Sequence, residues 1–418
     1  MTRSDRRACR TCLAAAILAW CAPAAAADGA PDWALRAWAG PEATLLDRRS
    51  PYAGGADLAG LAQEAARAEA VLRLAWRGAV AEGSLRATTE RGGRTRLAAV
   101  LTELYQELDV TGQHFTVGKR VTSWDVAYGF RPLDVVQQER RLALKPFALE
   151  GIPQAAWEWL DARWALTVVW ANPVRGRAAQ PVHDASGAAR LFGHLGPLDL
   201  HLVTRGSERT GLQAGAGAAL VASDALELHG SSLWQERTEH LPPPARGPGG
   251  SPLAAAPPGP PRVDRDQVAA VLGFTFTPGH DLSFLGEAWY DPQGDGAATW
   301  RARRRLAEDQ RALGQAGLAP PAAVDGNLAW GLMAFDRPSP LRDNLLLHAT
   351  QTLGRVEPAL DLLFAPEDRG WVLTGSAAWQ GERLRLEAGA RVMGGPPGAA
   401  YRLYPGWLTG YAAVQLTL

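Results

Sequence analysis

The chain has 418 residues, with 43 basic and 43 acidic side chains, so it lacks the basic excess that nucleic-acid binding requires. Its three cysteines, Cys9, Cys12 and Cys21, all precede residue 28, which excludes a disulfide framework or a paired-cysteine metal site from the rest. Beyond those first residues there is no run of 18 apolar residues, which excludes a membrane-spanning helix.

In chain order, Arg3, Arg6, Arg7 and Arg10 make a basic start, and an apolar run follows from Cys12 to Ala22. Ala25 and Ala27 supply the small residues of a cleavage site, so residues 1–27 are expected to be a signal peptide removed after Ala27. Trp20 is too large for the position before a lipidated Cys21, and Ala8-Cys9 lacks the apolar residues that follow a twin-arginine pair. Residues 28–67 are rich in Ala, Gly and Pro, with helical character from Ala56 to Arg67, and are read as a periplasmic lead-in or small plug.

From residue 68 onward the pattern is of short segments with apolar residues at alternate positions. Candidate strands cover 68–80, 82–91, 95–110, 113–124, 155–163, 165–172, 188–195, 197–206 and 209–222. They continue through 224–236, 266–277, 280–291, 326–336, 342–353, 355–365, 370–380, 382–393 and 407–418. In one of them Trp371, Leu373, Gly375, Ala377 and Trp379 share a face against Thr374, Ser376 and Gln380. In the next, Leu384, Leu386, Ala388, Ala390 and Val392 alternate with Arg383, Arg385, Glu387 and Arg391. A soluble β-sandwich could alternate in the same way. The number of segments, the 16 tryptophans available for interfacial girdles, and the apolar face of Ala412, Val414, Leu416 and Leu418 favour another architecture. The expected fold is all-β: a transmembrane antiparallel up-and-down barrel of about 14–18 strands occupying 68–418.

Three long loops are expected near 125–153, 238–265 and 292–325. The second contains a Pro-rich run from Pro242 to Pro261 that cannot join a ladder. The third is helix-prone and charged, with Arg301, Arg303, Arg304, Arg305, Glu308, Asp309 and Arg311, and reads as a solvated loop helix or else as a basic constriction or a surface facing lipopolysaccharide.

Within the first loop and its entry strand lie Gly118-Lys119-Arg120, Trp124, Tyr128-Gly129-Phe130, Pro132 and Asp134. Together with Ala359 to Leu363 and Pro366-Glu367-Asp368, these resemble a group of poorly characterised proteobacterial outer-membrane β-barrel proteins, porin-like in kind. The resemblance implies a barrel and a cell outer-membrane address, and no reaction. From the residues, Trp124 to Asp134 is expected to fold inward, with Lys119, Arg120, Arg131, Arg140 and Arg141 near Asp125, Asp134 and Glu139. Such an array either holds the loop or sets the field of a pore.

The candidate lumen residues are therefore Lys119, Arg120, Arg131, Asp134, Glu103, Glu107, Arg383, Arg385, Glu387 and Arg391. No metal site, cofactor or catalytic role is expected, because zinc, lipase-type and paired-cysteine motifs are absent and the eight histidines are scattered. His229 and Ser231 share a strand face without an identified acid, which makes a weak hydrolase candidate. The sequence suggests first a channel for small polar or charged solutes, and second a closed barrel serving an envelope export system. Expected partners are outer-membrane lipid and lipopolysaccharide, the barrel-assembly machinery during insertion, and for the second reading an envelope protein.

Overall fold

The structure, a computed structural model, describes residues 31–418 apart from 94, 139–142, 173–183, 243–244, 280 and 338. The expected signal peptide and Glu139, Arg140 and Arg141 lie outside the described residues.

Eighteen antiparallel strands form one sheet. They are β1 (Asp32–Leu46), β2 (Glu64–Trp76), β3 (Ala79–Glu90), β4 (Thr95–Val110), β5 (Gln113–Arg120) and β6 (Ile152–Leu160). Next come β7 (Trp164–Ala171), β8 (Ser186–Leu195), β9 (Leu198–Ser207), β10 (Gly211–Ser223), β11 (Leu226–His240) and β12 (Arg262–Gly279). The last are β13 (Leu282–Tyr290), β14 (Asp343–Gln351), β15 (Val356–Ala365), β16 (Gly370–Gln380), β17 (Leu384–Gly394) and β18 (Gly406–Thr417). Each strand pairs with its sequence neighbours, and β1 pairs with β18, so the sheet closes into an up-and-down barrel with no free edge.

The side-chain period of two sorts each strand into an outward and an inward set. Leu72, Leu85, Leu97, Leu202, Leu272 and Leu347 point outward and are exposed, Leu272 at 72%, in a continuous apolar belt. The alternate positions turn inward: Glu69 and Val71 on β2, Thr116 on β5, Gln213 on β10, and Glu287 and Trp289 on β13 are buried. Turns such as Arg77-Gly78 and Thr111-Gly112 lie at one end, with both residues at positive φ, the hairpin geometry that matches strand twist. The long connections all lie at the other end.

Two elements correct the sequence reading. Residues 32–46, expected within the lead-in, are the closing strand: Arg36 pairs with Thr417 and Ala37 with Ala70. Its outward set is Trp33, Leu35, Ala37, Ala39, Pro41, Ala43 and Leu45, and the four small or ring-closed residues in the middle interrupt the apolar alternation. The expected helical tendency before Arg67 is likewise overridden, because β2 begins at Glu64. Conversely, 326–336 is no strand. Helix α2 (Pro321–Leu332) covers most of it, and Val324, Leu328 and Leu332 bury one helical face at four-residue spacing.

Helix α1 (Ala297–Gln315) and α2 form a hairpin at the long-loop end, joined by the short helix α3 (Ala400–Leu403) and by residues 50–56. Tyr52, Trp300, Leu328, Leu341 and Tyr401 build a small apolar core there and rest on Ala365 and Val372 of the barrel rim. Buried Arg303 is paired with Asp295 and donates to the carbonyls of Leu241 and Pro242, which ties the Pro-rich loop to the hairpin.

The segment between β5 and β6 runs inside the barrel. Trp124, Leu133, Val135 and Val136 pack against inward Ile152, Val169, Ala188, Val203 and Leu233. Gly215 and Gly217 of β10 leave the space that Leu133 fills: an added Cβ would stand 2.5 Å and 2.8 Å from its methyl groups. A Gly215→Val replacement should overpack this seam and lower stability by about 1–3 kcal/mol. The check is thermal unfolding together with limited proteolysis. Faster cleavage within 121–151 by a folded barrel is expected, and an unchanged cleavage pattern would contradict the seam.

Candidate functional site: a latched segment in a charged lumen

A stretch of irregular backbone inside a barrel has N–H groups with no ladder partners, and each must be satisfied. Here carboxylates do most of that work. Within the segment, Asp134 accepts from the N–H of Trp124 at 2.6 Å, from that of Asp125 at 3.0 Å and from Ser123 Oγ at 3.1 Å. Asp125 accepts from the N–H groups of Ala127 and Leu133, and from Ser231 Oγ of β11 at 2.9 Å. Burial pushes both carboxyls up, while the donated N–H groups and, for Asp134, Arg131 pull them back.

The barrel wall adds two more acceptors. Glu287 of β13 takes the N–H of Tyr128 at 2.6 Å and of Gly129 at 2.7 Å, with His229 Nε2 at 3.1 Å. Gly129 keeps that approach close, since a Cβ there would stand 2.6 Å from a Leu346 methyl and displace it. Across the lumen, Glu69 of β2 accepts from Ala148 N at 3.0 Å, Ser84 Oγ at 2.7 Å, Arg86 Nε at 3.0 Å and Trp38 Nε1 at 3.2 Å. Phe147 lies beside Trp38, with the guanidinium of Arg67 4.5 Å from its ring centre. Lys145 Nζ meets Glu387 of β17 at 2.6 Å. The segment is thus fastened to opposite walls of the barrel.

Beside it, toward the long-loop end, lies a cavity of about 890 Å³. Arg67, Arg131, Arg337 and Arg391 contribute positive charge, and Glu42, Glu90, Asp291, Asp336 and Asp361 negative charge. Phe130 and Trp289 stack at 5.9 Å in its wall. Arg67 Nη1 sits 3.3 Å from Glu42, and Arg391 Nε donates to Thr374 Oγ1 at 3.1 Å.

The sequence-derived candidates divide accordingly. Arg131, beside Asp134 at 3.2 Å, and Arg391 line the cavity. Glu103 accepts from Val121 N at 2.9 Å and faces Arg73, Glu107 faces Arg120 at 3.5 Å, and Arg385 donates to Glu357 at 3.1 Å, all on the inward set. One candidate does not face the lumen. Lys119 pairs across the sheet with outward Leu104, and its ammonium is held by Glu150 and the Leu101 carbonyl. Arg383 stands in the turn before β17, where its carbonyl accepts from Thr417 N. Glu69, Glu287, Glu42 and Asp361 were not anticipated. The available signal was a lone acid among apolar or small neighbours, as in Ala68-Glu69-Ala70 and Gly286-Glu287-Ala288.

The His229–Ser231 pair has acids, but in a holding arrangement. The Ser231 hydroxyl donates to Asp125, and the Nε2 of His229 goes to Glu287, so both side chains help anchor the segment. Among the described residues no group of three or more His, Cys, Asp or Glu could hold a metal ion.

No family model and no curated protein matches the chain. Among solved structures, an engineered variant of the Rh. blastica porin aligns at 9% identity and a TM-score of 0.44, over 93% of this chain and 100% of its own. A triple mutant of the Rhodopseudomonas blastica porin aligns at 10% and 0.43 with the same coverage, and so does, at 10% and 0.44, a chain described by the asymmetric conductivity of engineered proteins. The barrel assignment comes from this chain's own strand pairing, and no property of those porins is carried over from so distant a likeness.

Removing the Glu287 carboxylate (Glu287→Ala) would orphan two N–H groups, at about 1–3 kcal/mol each. Chymotryptic cleavage at Tyr128 and Phe130 should then accelerate at least tenfold, about the effect of 1.4 kcal/mol of lost latch stability. Glu287→Gln, which keeps an acceptor oxygen, should lose less.

A pH dependence follows from Glu367, in the connection between β15 and β16. Burial, then a hydrogen bond to and repulsion from the Asp343 carboxylate, raise it from 4.5 to about 7. A raised carboxyl favours the protonated fold, so its contribution is full below pH 4.5 and is lost as pH rises through about 7. Thermal unfolding should show the loss between those values, and Glu367→Gln should flatten it.

Proposed function

We propose that the protein is a porin-like channel of a cell outer membrane that passes small polar or charged solutes and carries out no catalysis. The observation that carries this reading is the pairing of an apolar, outward-facing wall with a lumen that is charged and retains a sizeable cavity beside the inserted segment. The wall suits contact with outer-membrane lipid, since every strand has its backbone partners and large apolar side chains outside. Solutes entering from the long-loop end meet Arg67, Arg131 and Arg391 interspersed with Glu42, Glu90, Asp336 and Asp361, a fixed field that orients charge. The latched segment narrows the path and so sets the size limit.

The second reading, a closed barrel serving an envelope partner, draws support from how firmly the segment and the helical hairpin occupy the lumen and its mouth. Planar-bilayer recording of the folded protein separates the two. Discrete conductance steps support a channel, and silence from demonstrably folded protein supports the closed barrel. For a channel, Arg391→Gln combined with Arg67→Gln should move ion preference toward cations by about twofold or more, read as a shift in reversal potential under a salt gradient.

A further inference from the structure

A second concavity, of about 640 Å³, lies at the long-loop end between residues 47–51, one face of α1 and residues 397–403. Arg304, Glu308, Arg311 and Gln315 follow one another at spacings of four, three and four, so they share the helix face that forms one wall. Arg49 and Arg402 come from the two facing segments. Four guanidinium groups thus meet two carboxylates, Asp47 and Glu308.

The positive charge is poorly neutralised. Arg311 is held by the backbone carbonyls of Arg48 and Arg49, neutral acceptors that position it and leave its charge in place. Arg49 is exposed, its backbone N–H donates to Asp47 at 2.8 Å, and its guanidinium has no carboxylate partner among the described residues. Arg304 Nε is a buried donor without a hydrogen-bond acceptor; its nearest acid, Glu308, is 3.7 Å away. A buried N–H left unpaired calls for an acceptor from elsewhere. Arg402 has Asp47 at 3.4 Å, so each of the two acids stands beside one arginine and the charges of Arg49 and Arg311 are left without an acid. The three walls are joined through the apolar core of Tyr52, Trp300 and Tyr401, so the arginines are gathered before any ligand arrives.

We propose that this cleft binds a phosphorylated ligand, its phosphate oxygens taken by Arg49, Arg304, Arg311 and Arg402. Planar guanidinium forks match phosphate oxygens two at a time, and the excess of two positive charges suits a phosphate monoester. The volume exceeds a single phosphate, so the cleft has room for a ligand with a body or a second phosphate. The phosphate can belong to a membrane glycolipid or to a soluble compound. This inference stands apart from the channel reading and survives its failure.

The test uses the full-length protein in detergent, titrated calorimetrically with three probes: diphosphorylated lipid A, the same lipid without phosphates, and inorganic pyrophosphate. Saturable binding of a phosphorylated probe, but not of the dephosphorylated lipid, is expected. Arg49→Gln with Arg304→Gln removes two charge-assisted partners and should weaken that binding about tenfold or more. Arg301→Gln with Arg305→Gln, on the same helix and outside the cleft, should change it less than about twofold. Gel migration before and after heating confirms that each variant is folded. Preference for lipid A assigns the site to a membrane source, and equal binding of pyrophosphate assigns it to a soluble one; both support the cleft. Equal binding of the dephosphorylated lipid, no binding of any probe, or equal losses in the two double variants overturns it.

Discussion

The structure depends on closure of the sheet. An antiparallel sheet of 18 strands would present long rows of unpaired N–H and C=O groups at its two edges, and the β1–β18 pairing removes both. Closure makes a largely apolar exterior tolerable, because no unpaired backbone is exposed beside it. It also creates the internal problem that shapes everything else. A ring of this size encloses more space than inward side chains can fill.

The chain answers with its own backbone. Residues between β5 and β6 enter the lumen, bring an apolar core of Trp124, Leu133, Val135 and Val136, and expose N–H groups that no strand can pair. Acidic side chains are the economical solution, since each carboxylate accepts several donors. Asp125 and Asp134 organise the segment internally, while Glu69 and Glu287 fix it to walls on opposite sides. The same residues that could be read as a pore's charge pattern are therefore also its scaffold. What remains unfilled, the cavity beside Arg67, Arg131 and Arg391, inherits its shape and field from that scaffold.

The barrel was legible because its signal is local. Side chains at alternate positions either meet the exterior or the lumen, and sequences such as Leu384 to Val392 show the alternation without reference to any other strand. Where local evidence was weak, the reading went wrong. β1 carries small outward residues and a proline, and α2 has apolar residues at both even and fourfold spacing. Lys119 was assigned inward by its charge, yet its register across from Leu104 places it outward, where Glu150 compensates it.

The sequence by itself determined the class of fold, most strand positions and the inward facing of Glu103, Glu107, Arg385 and Glu387, since each follows from period and composition. Tertiary structure alone decided which strand closes the ring, which carboxylates hold the segment and which arginines share a space. Those relations join residues far apart in the chain, such as Tyr128 with Glu287, Lys145 with Glu387, and Arg49 with Arg311. No periodicity within one strand carries information about a partner on the far side of a barrel.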